Sequence, residues 1–306
     1  MRHLLDLESL SAAEITGYLD TAESMAEILR RSIKRVPTLR GKTLLLLFFE
    51  ASTRTRHSFE LACKVLGADS LALSASTSSA TKGESLLDTG RTAEALGVDG
   101  VVVRHASSGA PQLLARHLRV SVVNAGDGTH EHPTQGLLDL FSVRGRKGGI
   151  AGLRVCIVGD VLHSRVARSA VHGFAKLGAS VVLSGPPALL PGRASPAGWP
   201  VDLEPDLDRA LDGADVVMAL RIQKERQEGG MFPSIAEYRA RWGIDPARLA
   251  KARPDAVLMH PGPVNEGVEL APELMTAPPS LIADQVRAGV AVRMAVLYRL
   301  LGGVGA

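Results

Sequence analysis

The sequence predicts an α/β protein built from two doubly wound parallel-sheet domains with the active site between them. Three observations lead there. Short, continuous apolar runs of strand length alternate with segments of helical periodicity, as in parallel sheets buried on both faces. The alternation occurs twice, on either side of a basic, glycine-rich stretch from Gly145 to Gly152. The 306 residues, 45% of them hydrophobic, are enough for two cores of ordinary size.

Taken in order, Ser11-Ala12-Ala13-Glu14 has the spacing of a capping box, and Ile15, Leu19, Ala22, Ala26 and Leu29 follow at helical intervals. After Gly41-Lys42, the apolar run Thr43 to Phe49 reads as a buried strand. Phe59, Ala62, Cys63 and Leu66 then mark a helix that Gly67 can end. Val101 to Val103 and Val120 to Val123 read as further strands, each beside an apolar-periodic helix, and Leu137 to Val143 reads as helix. A domain change is placed in the Gly145 to Gly152 stretch. Beyond it come strand Val155 to Val158, helix Val166 to Leu177, strand Val181 to Leu183 and a proline- and glycine-rich loop to Pro200. Strands Val216 to Leu220 and Ala256 to Met259 and a long helix from Leu281 to Leu301 complete the chain.

Composition narrows the function classes. A formal charge of +3 with scattered arginines argues against nucleic-acid binding and leaves anionic small molecules as partners. No apolar run approaches the ~20 residues of a membrane helix, and Met1-Arg2-His3-Leu4 lacks the layout of a signal peptide, so the expected compartment is the cytoplasm. The two cysteines, Cys63 and Cys156, lie far apart in apolar surroundings and read as reduced core residues rather than a disulfide or metal site.

Several polar clusters stand out at the ends of the apolar runs. Ser52-Thr53-Arg54-Thr55-Arg56 follows a strand and opens a helix, where backbone N–H groups, hydroxyls and arginines together make an anion cradle. Taken singly, each residue also reads as part of a capped, solvated helix start. There is no Walker loop, and Gly159-Asp160 is not followed by the glycines of a dinucleotide fingerprint. His132, between the Gly126-Asp127-Gly128 turn and a helix, can donate a hydrogen bond to a carbonyl oxygen that gains charge, although a lone histidine there also reads as a structural residue. Arg165 and Arg221 follow strands of the second half; each alone also reads as a surface ion pair, and their shared place at strand ends points to a common site. His260-Pro261-Gly262-Pro263 forms a constrained turn after another strand.

The stretch Phe49 to Glu60, Phe-Glu-Ala-Ser-Thr-Arg-Thr-Arg-His-Ser-Phe-Glu, resembles the carbamoyl-phosphate motif of the aspartate and ornithine carbamoyltransferase family. Similar matches follow in order at Ser78 to Glu84, Arg104, Gly126 to Asp139, Gly159 to Arg165, Arg221 to Arg226 and His260 to Glu269, so the resemblance spans essentially the whole chain. It implies carbamoyl transfer from carbamoyl phosphate to an amine, without metal or organic cofactor. Pro261, where the ornithine branch carries cysteine, favours L-aspartate as acceptor; so do Thr81-Lys82-Gly83-Glu84 and Arg221-x-Gln223. The product is then N-carbamoyl-L-aspartate, in pyrimidine biosynthesis.

The resemblance also implies roles. Arg54, Thr55, Arg104 and His132 act on the carbamoyl phosphate, with Ser52 and Thr53 in the cradle and Gln135 at the amide end. Ser78 and Lys82 reach the site of an adjacent subunit of a homotrimer. Arg165, Arg221 and Gln223 hold the aspartate carboxylates, and Pro261 and Gly262 offer backbone carbonyls to the carbamoyl nitrogen and the attacking amine. The corresponding domains are residues 1–145 for carbamoyl phosphate, with helix 286–306 packed back on them, and residues 146–285 for aspartate. The free trimer and its assembly with regulatory or dihydroorotase chains both stay open. So does a non-catalytic homologue, although Arg54, Lys82, Arg104 and His132, whose loss would mark one, are all present. One departure is Glu266, where many members carry arginine.

Overall fold

Ser11 and Glu14 form a closed capping box: the serine hydroxyl accepts from the Glu14 N–H at 3.2 Å, and the Glu14 carboxylate accepts from the Ser11 N–H at 2.8 Å. Helix α1 (Ala12–Arg30) starts there, with Ile15, Tyr18, Leu19, Ala22 and Met25 buried. The computed structural model describes residues 2–74, 84–192, 198–222 and 234–302. It divides into two units, Met1–Phe141 with Val286–Ala306, and Ser142–Gln285.

The first unit is built on β1 (Thr43–Phe48), α2 (Thr53–Leu66), β2 (Asp69–Ser74), α3 (Leu86–Ala95), β3 (Gly100–His105), α4 (Ala110–His117) and β4 (Ser121–Asp127). Its sheet is parallel throughout, in the order β2-β1-β3-β4. β1 is buried on both faces. Leu45 and Leu47 pack with Ala93 of α3 and Leu114 of α4, while Leu44 and Leu46 are equally buried on the opposite face. Each such leucine removed from water contributes about 1.5–3 kcal/mol, which explains why an unbroken apolar run becomes a central strand. Gly67, with φ +78, ends α2 in the left-handed conformation that glycine adopts without penalty.

Helix α5 (Pro133–Lys147) runs further than the sequence suggested. Gly145, Arg146 and Lys147 form its last turn rather than a loop. Three basic side chains there, Arg144, Arg146 and Lys147, complement the negative end of the helix, and the left-handed Gly148 stops it. The boundary between the units falls inside this helix, and a second boundary falls inside α10 (Ile282–Leu301).

The second unit contains β5 (Arg154–Val158), α6 (Arg165–Lys176), β6 (Ser180–Ser184), β7 (Val201–Leu203), α7 (Leu207–Leu211), β8 (Val216–Ala219), α8 (Ile235–Trp242), α9 (Pro246–Leu249) and β9 (Val257–Met259). Its parallel sheet has the order β7-β6-β5-β8-β9. Cys156, Val158, Val217, Ala219 and Leu258 form one core with Leu207 and Leu211 of α7 and Tyr238 and Trp242 of α8. Cys63 and Cys156 are both free and buried, and burial pushes their thiols up to about 12. Among the described residues, no helix is long and apolar enough to cross a membrane.

Candidate active site

In a parallel sheet every strand ends at the same edge, and a ligand site forms where the strand order reverses direction. In the first unit that point lies between β1 and β3, since the chain leaves β1 for one side and returns through β3 on the other. Ser52 sits there as N-cap of α2, with φ −160 and ψ 90, and its hydroxyl makes no capping hydrogen bond. The contrast with Ser11 of α1 and Ser85 of α3 is chemical. Those serines cap their helices and have an acid in the first turn, Glu14 and Asp88. The first turn of α2 has no acid, and arginines stand at its second and fourth positions. A 14-residue helix that brings its positive end and no anion of its own to a strand edge is built for an anion from outside.

Thr55 points inward at 6% exposure, whereas Thr53 and Arg54 are exposed. Arg104, the penultimate residue of β3, lies beside this turn: it pairs in register with Phe48, and its carbonyl accepts from the Phe49 N–H at 2.9 Å. Its guanidinium lies 3.6 Å from the Glu50 carboxylate and donates to the Ala125 carbonyl at 3.3 Å, so both neighbouring strands aim it.

The third contributor is the turn from β4 to α5. Asn124 donates to Asp127 at 2.8 Å and accepts from the Gly126 N–H at 2.7 Å. Asp127 in turn accepts from the Gly109 N–H at 2.7 Å and the Glu131 N–H at 3.2 Å, and pairs with His130 at 3.1 Å. Gly128 must be glycine, because its φ is +44 and a Cβ would lie 2.6 Å from the Ser108 nitrogen. This scaffold delivers His132, 4% exposed, to the start of α5, where its carbonyl accepts from Gln135 N and Gly136 N. The Thr134 hydroxyl lies 3.5 Å from its Nδ1. Gln135 donates from Nε2 to Asp139 at 3.0 Å.

In the second unit the order reverses between β5 and β8. After β5, Asp160 accepts from the His163 backbone at 3.2 Å and pairs with its ring at 2.9 Å, and Ser164 caps α6. Arg165 is the first residue of that helix and is 5% exposed. Arg221 follows β8, half-buried. The turn after β9 is fastened by His260. Its Nδ1 accepts from the Gly262 N–H at 2.8 Å, so its Nε2 carries the proton and points to Glu269 at 3.3 Å. Glu269 also accepts from the Asn265 N–H at 2.7 Å, and Asn265 donates to the Ile222 carbonyl at 3.0 Å, tying the Pro261-Gly262 loop to the end of β8.

The structure thus gathers Ser52, Thr53, Arg54, Thr55, Arg104, His132 and Gln135 at one sheet edge. Arg165, Arg221, Pro261 and Gly262 gather at the other. Ser78, Lys82 and Gln223 lie outside the described residues. Glu50, Asp139 and Glu269 support these groups, and no motif in the sequence gives them a role. Only the four-residue spacing of Gln135 and Asp139 on a helix signals one of those contacts from sequence alone. Glu266 is exposed, and the carboxylate that holds its loop is Glu269.

Among the described residues one group, Glu8, His130 and Glu131, brings metal-ligand atoms within 4.8 Å of one another. Both Glu131 oxygens already accept backbone N–H groups, from Leu7 at 2.8 Å and Glu8 at 3.1 Å, so this cluster fastens the N-terminal segment.

Residues 2–145 match the family described as aspartate/ornithine carbamoyltransferase, carbamoyl-P binding domain, and residues 151–300 match its Asp/Orn binding domain. An aspartate carbamoyltransferase catalytic subunit of Desulforapulum autotrophicum is 54% identical over 302 residues, covering 99% of this chain and 96% of that protein. Among solved structures, the aspartate transcarbamoylase of Trypanosoma cruzi in complex with carbamoyl phosphate and aspartate is similar with a TM-score of 0.88. It is 28% identical, over 98% of this chain and 95% of that one. The ornithine carbamoyltransferase of Pyrococcus furiosus is as similar in fold, with a TM-score of 0.88 and 31% identity over 99% of this chain and 98% of that one. Proteins named for either acceptor share this backbone, so the acceptor is a matter of side chains.

Proposed function

The chain belongs to the aspartate/ornithine carbamoyltransferase family, and on that footing we propose a task for each group at the two sheet edges. The reaction is transfer of the carbamoyl group of carbamoyl phosphate to the amine of L-aspartate, giving N-carbamoyl-L-aspartate and phosphate, a step of pyrimidine biosynthesis. The phosphate takes the start of α2, on Ser52, Thr53, Arg54 and Thr55, with Arg104 beside it. Thr55, Arg104 and His132 donate to the carbonyl oxygen, and Gln135 holds the carbamoyl NH2. Arg165 takes the α-carboxylate of aspartate, Arg221 and Gln223 its side-chain carboxylate, and the backbone carbonyls of Pro261 and Gly262 take the amine and the carbamoyl nitrogen.

The neutral amine attacks the carbonyl carbon, the carbon–oxygen bond to phosphate breaks, and the departing phosphate accepts the amine proton. No side-chain base is required. Rate acceleration comes from orienting two bound anions and from donors aimed at the oxyanion. Ser78 and Lys82 complete the site from a neighbouring copy, which makes the working unit a cytoplasmic homotrimer.

The observation that carries this reading is the arginine-rich, acid-free start of α2 beside Arg104 at the strand-order reversal. The test is product formation from carbamoyl phosphate with L-aspartate and, separately, with L-ornithine. We expect carbamoyl aspartate alone, with kcat lowered about 10²–10³-fold in Arg54→Ala. Transfer to ornithine would overturn the roles given to Arg221, Gln223 and Pro261.

A further inference from the structure

Gln135 and Asp139 stand one turn apart on α5, and the Gln135 Nε2 donates to Asp139 Oδ1 at 3.0 Å. The pair is buried, at 9% exposure for Gln135 and 0% for Asp139. A carboxylate offers lone pairs and no proton, so it can engage a primary amide only through the NH2 end. This contact fixes which way round the amide lies: with its nitrogen on Asp139, its Oε1 is the end left to face a ligand.

Arg293 of α10 is a buried cation whose charge interacts with that of Asp139. Arg293 is 3% exposed, and its guanidinium lies over the Phe59 ring at 5.3 Å and donates to the Gly289 carbonyl at 2.9 Å. A Cβ at Gly289 would sit 2.6 Å from the Arg293 Nη1, so a larger residue there would have to displace the guanidinium. Burial pushes Arg293 down to about 10 while the Asp139 charge acts the other way, so the group is a cation at neutral pH. Phe59 belongs to α2, so one buried arginine touches the phosphate helix and lends charge to the amide's anchor.

We propose that Asp139 is a positioning residue that makes the site selective for a carbamoyl phosphate over an acyl phosphate. By occupying the Gln135 NH2 it presents only Oε1 to the ligand, an acceptor that the carbamoyl NH2 satisfies and a methyl group leaves unpaired. A site with a buried group committed to one hydrogen bond rejects analogues that cannot make it. The proposal rests on reading Gln135 as the contact of the carbamoyl amide.

The experiment compares kcat/KM for carbamoyl phosphate and acetyl phosphate, both with L-aspartate, in the wild type, Asp139→Asn, and the exchanged pair Gln135→Glu with Asp139→Asn. Asparagine can donate as well as accept, so Gln135 is free to turn its NH2 outward. The ratio of the two kcat/KM values then falls about tenfold or more in Asp139→Asn. In the exchanged pair the amide introduced at position 139 donates to the carboxylate introduced at position 135, which again shows an acceptor to the ligand, and the selectivity returns. That pair also keeps one carboxylate and one amide one turn apart on α5, and it carries the test alone if Asp139→Asn does not fold. An equal loss with both donors in Asp139→Asn, or an exchanged pair that folds without selectivity, overturns the proposal. A wild type inactive with carbamoyl phosphate overturns the functional reading and this inference with it, whereas an active wild type and an unchanged ratio overturn only the inference.

Discussion

Asp127 has no exposed surface. Burial pushes its carboxyl up, but hydrogen bonds from His130, the Gly109 N–H and Asn124, with the His130 charge, outweigh it and hold the group below the ordinary carboxylate range. The same contact pushes His130 up, ahead of the opposing effect of burial. The two shifts act in different pH windows. A raised histidine contributes stability that is complete below its unfolded value of about 6.5 and fades as pH rises through its folded value. A depressed aspartate contributes above about 3.9, and its share is lost as pH falls through its folded value. We therefore expect His130→Gln to destabilise the protein more at about pH 5.5 than at about pH 8.5 in urea unfolding, and a difference independent of pH would rule the pairing out. None of this network follows from the order of residues 124 to 131, because each of its bonds depends on how the turn is folded.

At the scale of elements, two serines at helix starts make opposite predictions. Ser11 closes a capping box, so Ser11→Ala should cost about 1 kcal/mol of stability by denaturant unfolding and leave KM for carbamoyl phosphate unmoved. The Ser52 hydroxyl caps nothing, so Ser52→Ala should change stability by less than about 0.5 kcal/mol and raise that KM. Equal stability losses at the two positions would remove the argument that α2 is left open for a ligand. The central strands were legible because burial on both faces writes an unbroken apolar run, as in Thr43–Phe48. Of the edge strands, β4 and β9 were legible too, but β2 and β7 were not. β2 carries Asp69, Ser70 and Ser74 among its apolar residues, and β7 is only 3 residues long, so neither rises above a loop in the sequence. The site was legible where a polar cluster follows a strand, as at Ser52 to Arg56, and illegible where one side chain aims another across a loop, as Glu269 does His260.

On the scale of the whole molecule, the two units differ in how the chain supplies them. The second is one uninterrupted segment, Ser142–Gln285, whereas the first needs both Met1–Phe141 and Val286–Ala306. Arg293, Val292, Met294 and Leu297, all buried, belong to that returning segment. Each unit also holds one buried thiol, Cys63 in the first and Cys156 in the second. Pulse alkylation during refolding should find Cys156 protected no later than Cys63, and a chain stopped after residue 285 should protect Cys156 while leaving Cys63 reactive. Protection of Cys63 in that shortened chain would show that the returning helix is dispensable. During synthesis the ribosome releases the contiguous unit first, while the half made earliest waits, with part of its core still untranslated, for the last helix to arrive. The segment most exposed to chaperones and proteases is therefore the oldest part of the nascent chain.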